Sequence, residues 1–163
     1  MGEDLAFSAQ VKDELAHLLP AQECCRRMEL AALLRASGRI TIGGEDRLAC
    51  ALSTDRAPVA RKIIRLIKSE FTLQTEVMVG RRTRLRKNLS YLVRIPPQSG
   101  VVDMLKALGA LDSGGQLQEW GNLPLLQNDH CRRAYLRGTF LGTGWVAPPE
   151  RQHHLEMTTT ATE

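Results

Sequence analysis

The chain has 163 residues, 43% of them apolar and 25% charged, and its 22 Lys and Arg against 18 Asp and Glu give a net charge of +4. This is an ordinary globular composition, enough for the core of one domain, and the charge is too modest to establish a polyanionic partner by itself. No apolar run approaches the roughly 20 residues of a spanning helix, the acidic start MGEDLAFSAQ lacks a signal-peptide core, and cysteines at 24, 25, 50 and 131 without CxxC spacing suggest neither a disulfide framework nor a zinc knuckle, so a cytoplasmic protein with reduced thiols and no membrane association is expected.

Ser8 to Leu19 reads as an amphipathic lead-in helix: Ser8 is a candidate N-cap, Val11, Leu15, Leu18 and Leu19 recur at helical spacing, and Pro20 stops it. A second helical pattern runs from Glu23 to Ser37, with Gly38 just past its end. The period then switches to alternation in Arg39-Ile40-Thr41-Ile42, Gly43 to Asp46 carries turn chemistry, and Arg47 to Leu52 returns as the second strand of a hairpin. After a cap within Ser53 to Asp55, residues Arg56 to Phe71 form a helix with an Ile63, Ile64 and Ile67 stripe, which leaves Arg61, Lys62, Arg65 and Lys68 on its other faces. Leu73 to Val79 and Leu89 to Ile95 make a second hairpin ended by Pro96-Pro97. A short helix capped by Ser99 carries Val102, Leu105 and Leu108 and ends at Gly109. The Gly-, Ser- and Asn-containing stretch from 112 to 129 reads as a linker. Beyond it come a helix from about His130 to Gly142, a Trp145-Val146 strand, a turn at Pro148-Pro149 and a strand near His153 to Thr160.

Two of these segments are versions of one unit. CRRMELAALLRASGRI, from Cys25, and CRRAYLRGTFLGTGWV, from Cys131, lie 106 residues apart, share Cys-Arg-Arg, place Leu30 and Leu136 alike, and close on Gly38 and Gly144 before an apolar, β-prone residue. Small residues four apart, Ala32 with Ala36 and Gly138 with Gly142, leave a flat stripe on each helix that lets two backbones approach closely. The expected organisation is therefore a lead-in helix (1–22), a first αββαββα repeat (23–111), a linker (112–129) and the start of a second repeat (130–163). Far less sequence follows Gly144 than follows Gly38, so the second copy is expected to be incomplete, as in a fragment or in a protein whose remaining strands come from another chain.

Both segments resemble the LAGLIDADG motif, and the wider chain, with FSAQVKDELAHL, RTRLRKNLSYLVRI and HHLEM around them, resembles the WhiA-type sporulation regulators over nearly its whole length. The resemblance implies an α+β, homing-endonuclease-like fold in which two motif helices pack about a pseudo-twofold axis and the strands form a saddle over DNA. It also implies a role in DNA binding, sporulation control and cell division, a nucleoid-associated location, and a C-terminal helix-turn-helix that these residues do not contain.

LAGLIDADG nucleases carry an acid immediately before each closing glycine to hold divalent metal near the scissile phosphates. Here those positions are Ser37 and Thr143, and a neutral hydroxyl cannot replace the anionic oxygens that magnesium prefers. Glu45, Asp46 and Glu156 are nearby in sequence but out of position and read as solvated carboxylates. No catalytic residue, bound metal or other cofactor is expected. Cys24, Cys25, His130 and Cys131 could in principle gather at the pseudo-axis, but the preferred reading is buried thiols and a capping histidine. His153-His154, on a strand, would point to opposite faces and do not suit one ion.

The expected DNA contact is RRTRLRK at the tip of the second hairpin, namely Arg81, Arg82, Arg84, Arg86 and Lys87, with Arg82, Arg84 and Arg86 on one face if extended. Arg26-Arg27 and Arg132-Arg133 begin both motif helices, where the helix dipole disfavours positive charge, which points to a paired carboxylate or another structural reason ahead of DNA contact. The sequence thus points to a non-catalytic regulator that binds double-stranded DNA, and other regulatory proteins are conceivable partners. Oligomeric state is not legible. The alternatives are a protein-interaction module whose DNA contact lies elsewhere, a LAGLIDADG endonuclease, or an RNA maturase-like protein.

Overall fold

The computed structural model describes residues 2–43, 47–81, 89–118, 123, 127–151 and 153–158. Its elements are α1 (Gly2–His17), α2 (Glu23–Ser37), β1 (Gly38–Ile42), β2 (Leu48–Thr54), α3 (Ala57–Phe71), β3 (Glu76–Arg81), β4 (Leu89–Ile95), α4 (Val101–Ala107), α5 (Asp129–Thr143), β5 (Gly144–Val146) and β6 (Leu155–Met157). The fold is α+β. One antiparallel sheet has the order β1-β2-β4-β3, and β5 pairs with β6 in a second. Alternation places Ile40, Cys50, Leu52, Val93 and Ile95 on the helix-facing side of the first sheet, where they meet Leu30, Leu33 and Leu34 of α2, Ile63, Leu66 and Ile67 of α3, and Leu105 of α4. Each fully buried aliphatic side chain in this layer contributes about 1.5–3 kcal/mol.

Helices α2 and α5 lie against each other along their length because their contact face is nearly bare of side chains. A Cβ on Gly138 would run into the backbone of Glu29 and come 2.8 Å from Ala32 Cβ, and one on Gly142 would come 2.6 Å from Ala36 Cβ. The small-residue stripes read from the sequence are therefore the contact itself. Gly38 and Gly144 follow the two helices in extended conformation (φ −96 and −72) and pass directly into β1 and β5. Glycine serves there for space, since a Cβ would strike Leu34 or Phe140. Gly109 is different: its φ of +73 closes α4 in the left-handed region, as a glycine past a helix end does.

Several sequence expectations change. Helix α1 starts at Gly2, so Ser8 is an interior residue and not an N-cap; it is 4% exposed and its hydroxyl accepts the Val146 N–H at 3.3 Å, tying α1 to β5. The close-packed residues of α1 are the small Ser8 and Ala16, while Leu18 and Leu19 follow the helix end and are exposed. No side chain caps α4, whose N-cap is Gly100 rather than Ser99. Leu73 is a core residue ahead of β3, in a turn stitched by Gln98, which donates to the Gln74 carbonyl and accepts its N–H, both at 2.9 Å. Leu30 is buried, but its counterpart Leu136 is 54% exposed.

The largest departure is Lys62, assigned by periodicity to an open face yet 1% exposed. Its ammonium pairs with Glu29 and donates to the Leu15 carbonyl at 2.9 Å. Arg137 of α5 grips the same carboxylate with two bonds, Nε to Oε1 at 3.1 Å and Nη2 to Oε2 at 2.9 Å. Burial pulls Lys62 below its ordinary pKa, and Glu29 works against that shift to keep it charged. This group joins α1, α2, α3 and α5 at one point.

Candidate nucleic-acid interface

The face of the first sheet turned away from the helices is set by alternation and register. Arg39, Ala51, Arg94 and Glu76 form one row across the four strands, and Ser53, Leu92 and Met78 form the next. Arg39, Ser53 and Arg94 are exposed, and Arg94 is paired with Glu76 at 2.9 Å. Strands β3 and β4 form the expected hairpin, and their last pair is Arg81 with Leu89. Arg81 is exposed at that end. Arg82, Arg84, Arg86 and Lys87 lie outside the described residues, as do Glu45 and Asp46.

The C-terminal ends of α2 and α5 abut: Ser37 Oγ lies 3.7 Å from where a Cβ on Gly142 would sit. Ser37 donates to the Leu33 carbonyl at 3.0 Å and Thr143 to the Thr139 carbonyl at 3.4 Å. Each hydroxyl proton is thus spent inside its own helix, and neither residue supplies an anionic oxygen. Glu156 is exposed, and its carboxylate lies 3.8 Å from His154 Nε2.

At the opposite end, Arg26, Arg27 and Arg132 have carboxylate partners among the described residues, which offset the unfavourable helix dipole. Arg26 pairs with Glu70 and donates to the Pro20 and Ala21 carbonyls. Arg27 pairs with Glu23 and lies 3.6 Å from Glu70, and Arg132 donates to Asp129 at 3.1 Å. These arginines hold the helix starts in place, away from the sheet's outer face. Between them Cys24, Cys25, His130 and Cys131 do come together, with no two of their ligand atoms more than 4.8 Å apart. His130 is not a cap: the N-cap is Asn128, and the imidazole Nδ1 faces the sulfurs of Cys25 at 3.2 Å, Cys131 at 3.3 Å and Cys24 at 3.9 Å. Among the described residues this is the one group of three or more His, Cys, Asp or Glu with converging ligand atoms.

Periodicity missed Glu29, Lys62 and Arg137. The available signal was an acid, Glu29, inside the otherwise apolar run MELAALL. Among the described residues, no helix is long and apolar enough to cross a membrane.

Comparison with known proteins gives a consistent result. The family profile described as the WhiA N-terminal LAGLIDADG-like domain matches residues 23–111, and that of the WhiA LAGLIDADG-like domain matches 132–163. A "Probable cell division protein WhiA" of Symbiobacterium thermophilum is 61% identical over 163 residues, which are 100% of this chain and 52% of that protein. Its namesake in Desulforamulus reducens is 46% identical over 156 residues, 95% of this chain and 48% of the relative. The chain spans about half the length of the curated relatives it matches. Among solved structures, full-length DUF199/WhiA from Thermatoga maritima superposes with a TM-score of 0.63 at 17% identity, over 96% of this chain and 45% of that one. The N-terminal LAGLIDADG domain of DUF199/WhiA gives 0.62 at 19% identity, over 94% and 66%.

Proposed function

The chain belongs to the WhiA family, and from that membership we propose that it is a non-catalytic, duplex-DNA-binding part of a regulator acting in cell division and sporulation. The observation that carries this reading is the contrast between the two halves of the motif. The helix contact is kept to the point where Gly138 and Gly142 admit no side chain, while the positions that hold acids in LAGLIDADG nucleases carry Ser37 and Thr143, each bonded back to its own helix. The architecture is retained without the anionic oxygens that would hold magnesium.

The sheet's outer face would meet the duplex, with Arg39 and Arg94 on its surface, Arg81 at the end of β3, and Arg82, Arg84, Arg86 and Lys87 following it in the sequence. Five cations without an acid suit phosphate contact, and a two-stranded ribbon fits a major groove. The test is fluorescence anisotropy with a labelled duplex, challenged by unlabelled duplex or structured RNA, beside a plasmid incubated with the chain and magnesium. Duplex should compete better than RNA, and the plasmid should stay supercoiled; nicking, or preference for RNA, contradicts the proposal.

A second reading has one observation behind it. Val77 and Val79 of edge strand β3 and Leu89 beside them on β4 share one face of the sheet and are all about half exposed, an apolar patch suited to a partner protein. That reading takes precedence if the chain binds neither duplex nor RNA.

A further inference from the structure

We propose that Cys24, Cys25, His130 and Cys131 form a four-coordinate site for a thiophilic divalent cation, zinc by its chemistry, which clamps the starts of α2 and α5 together. The site is independent of the DNA-binding reading and lies at the other end of the helix pair.

The geometry is the main argument. One imidazole nitrogen faces three sulfurs, at 3.2, 3.3 and 3.9 Å. Nδ1 has either one lone pair or one N–H, so hydrogen bonding to it satisfies a single contact; Gln22 Oε1 accepts from the Cys25 thiol at 3.4 Å and lies 4.0 Å from Cys24 Sγ, on the rim of the cluster. A cation at the centre engages all four groups at once. Zinc bonds of about 2.3 Å to sulfur and 2.0–2.1 Å to nitrogen place tetrahedral S···N edges at about 3.6 Å, which the three distances bracket. All the ligand–ligand separations lie within 4.8 Å, against a tetrahedral S···S edge of about 3.8 Å, a difference on the scale of small side-chain rotations.

The duplication supplies the ligands in pairs. Cys24 and His130 occupy equivalent positions, as do Cys25 and Cys131, each pair 106 residues apart. Each helix therefore offers two adjacent donors in its first turn, and the close approach imposed by Gly138 and Gly142 brings the two turns together. Three thiolates and a neutral imidazole around a divalent ion carry a net charge of −1, which the N-terminal ends of two helices stabilise. The donor set excludes magnesium and calcium, which take oxygen, and four protein ligands leave no open position for a reacting water. The site is thus structural: metal binding displaces the thiol protons to solvent and joins the two repeats without redox chemistry.

The test uses the full chain, purified with reductant and without chelator. Elemental analysis should find about one zinc per chain, and replacement by cobalt should give the intense visible bands of tetrahedral, thiolate-bound Co2+. Removing zinc with a chelator should lower the melting temperature, and adding it back should restore it. Cys24→Ser and His130→Ala, the two more accessible ligands, should each weaken zinc binding tenfold or more with the circular dichroism spectrum of the fold retained, while Cys50→Ala should bind as the parent does. The proposal is overturned by a reduced chain that holds no zinc and gives no thiolate–cobalt bands, by Cys24→Ser and His130→Ala both binding zinc as the parent does, or by a thiol count showing these cysteines joined in a disulfide.

Discussion

Glu29 is the residue on which four helices converge, and its carboxylate illustrates why a buried ion group is costly to break by halves. With its side chain fully buried, it answers Lys62 and both donors of Arg137. Glu29→Leu leaves Lys62 buried with a carbonyl as its remaining partner and should cost about 3–5 kcal/mol in urea denaturation. Adding Lys62→Met should recover much of that loss; a single variant within about 1 kcal/mol of the parent would show that the group is dispensable. Cys50 offers a second test at this scale. Burial pushes its thiol from 9.0 up to about 12, so the folded state keeps a proton that the unfolded state releases. Its contribution is fully present below 9.0 and is lost as pH rises from there towards about 12, at about 1.4 kcal/mol per pH unit. The stability gap between parent and Cys50→Ala, measured under reductant, should therefore shift in the variant's favour across that range; a gap independent of pH would contradict it.

The α2–α5 pair is the element that organises the molecule, and it was the most legible. Small residues four apart are a local pattern whose consequence, close approach, needs no distant information. The hairpins were legible for the same reason, since alternation and turn chemistry are local; only their ends moved. Lys62 was misassigned because its partners, Leu15 and Glu29, lie on other helices, and helical periodicity sees only its own segment. The ligand cluster was half legible: duplication placed cysteine and histidine at equivalent positions, but their convergence depends on how the two helices meet. Gly138→Leu tests that meeting. It should destabilise the chain by about 1–3 kcal/mol or more through overpacking against Glu29 and Ala32, whereas Leu136→Ala, on the exposed side of α5, should change stability by less than about 0.5 kcal/mol. Equal effects would mean that the helices do not rely on close approach.

At the scale of the whole molecule, the helix pair separates two chemistries. One end gathers sulfur and nitrogen around a proposed cation; the other ends in neutral hydroxyls beside a sheet whose outer face and hairpin carry arginine. The proposed function rests on that second end, and its binding energy would come mainly from phosphates, without base-specific contacts that the sequence identifies. The most direct measurement is duplex affinity by fluorescence anisotropy as a function of salt, for the parent and for the combined Arg82→Glu, Arg84→Glu and Arg86→Glu variant. If three to five cations meet phosphates, the slope of log K against log salt should be about −3 to −4.5 for the parent, with binding by the variant abolished. Affinity insensitive to salt, or a variant that binds as the parent does, would contradict the account.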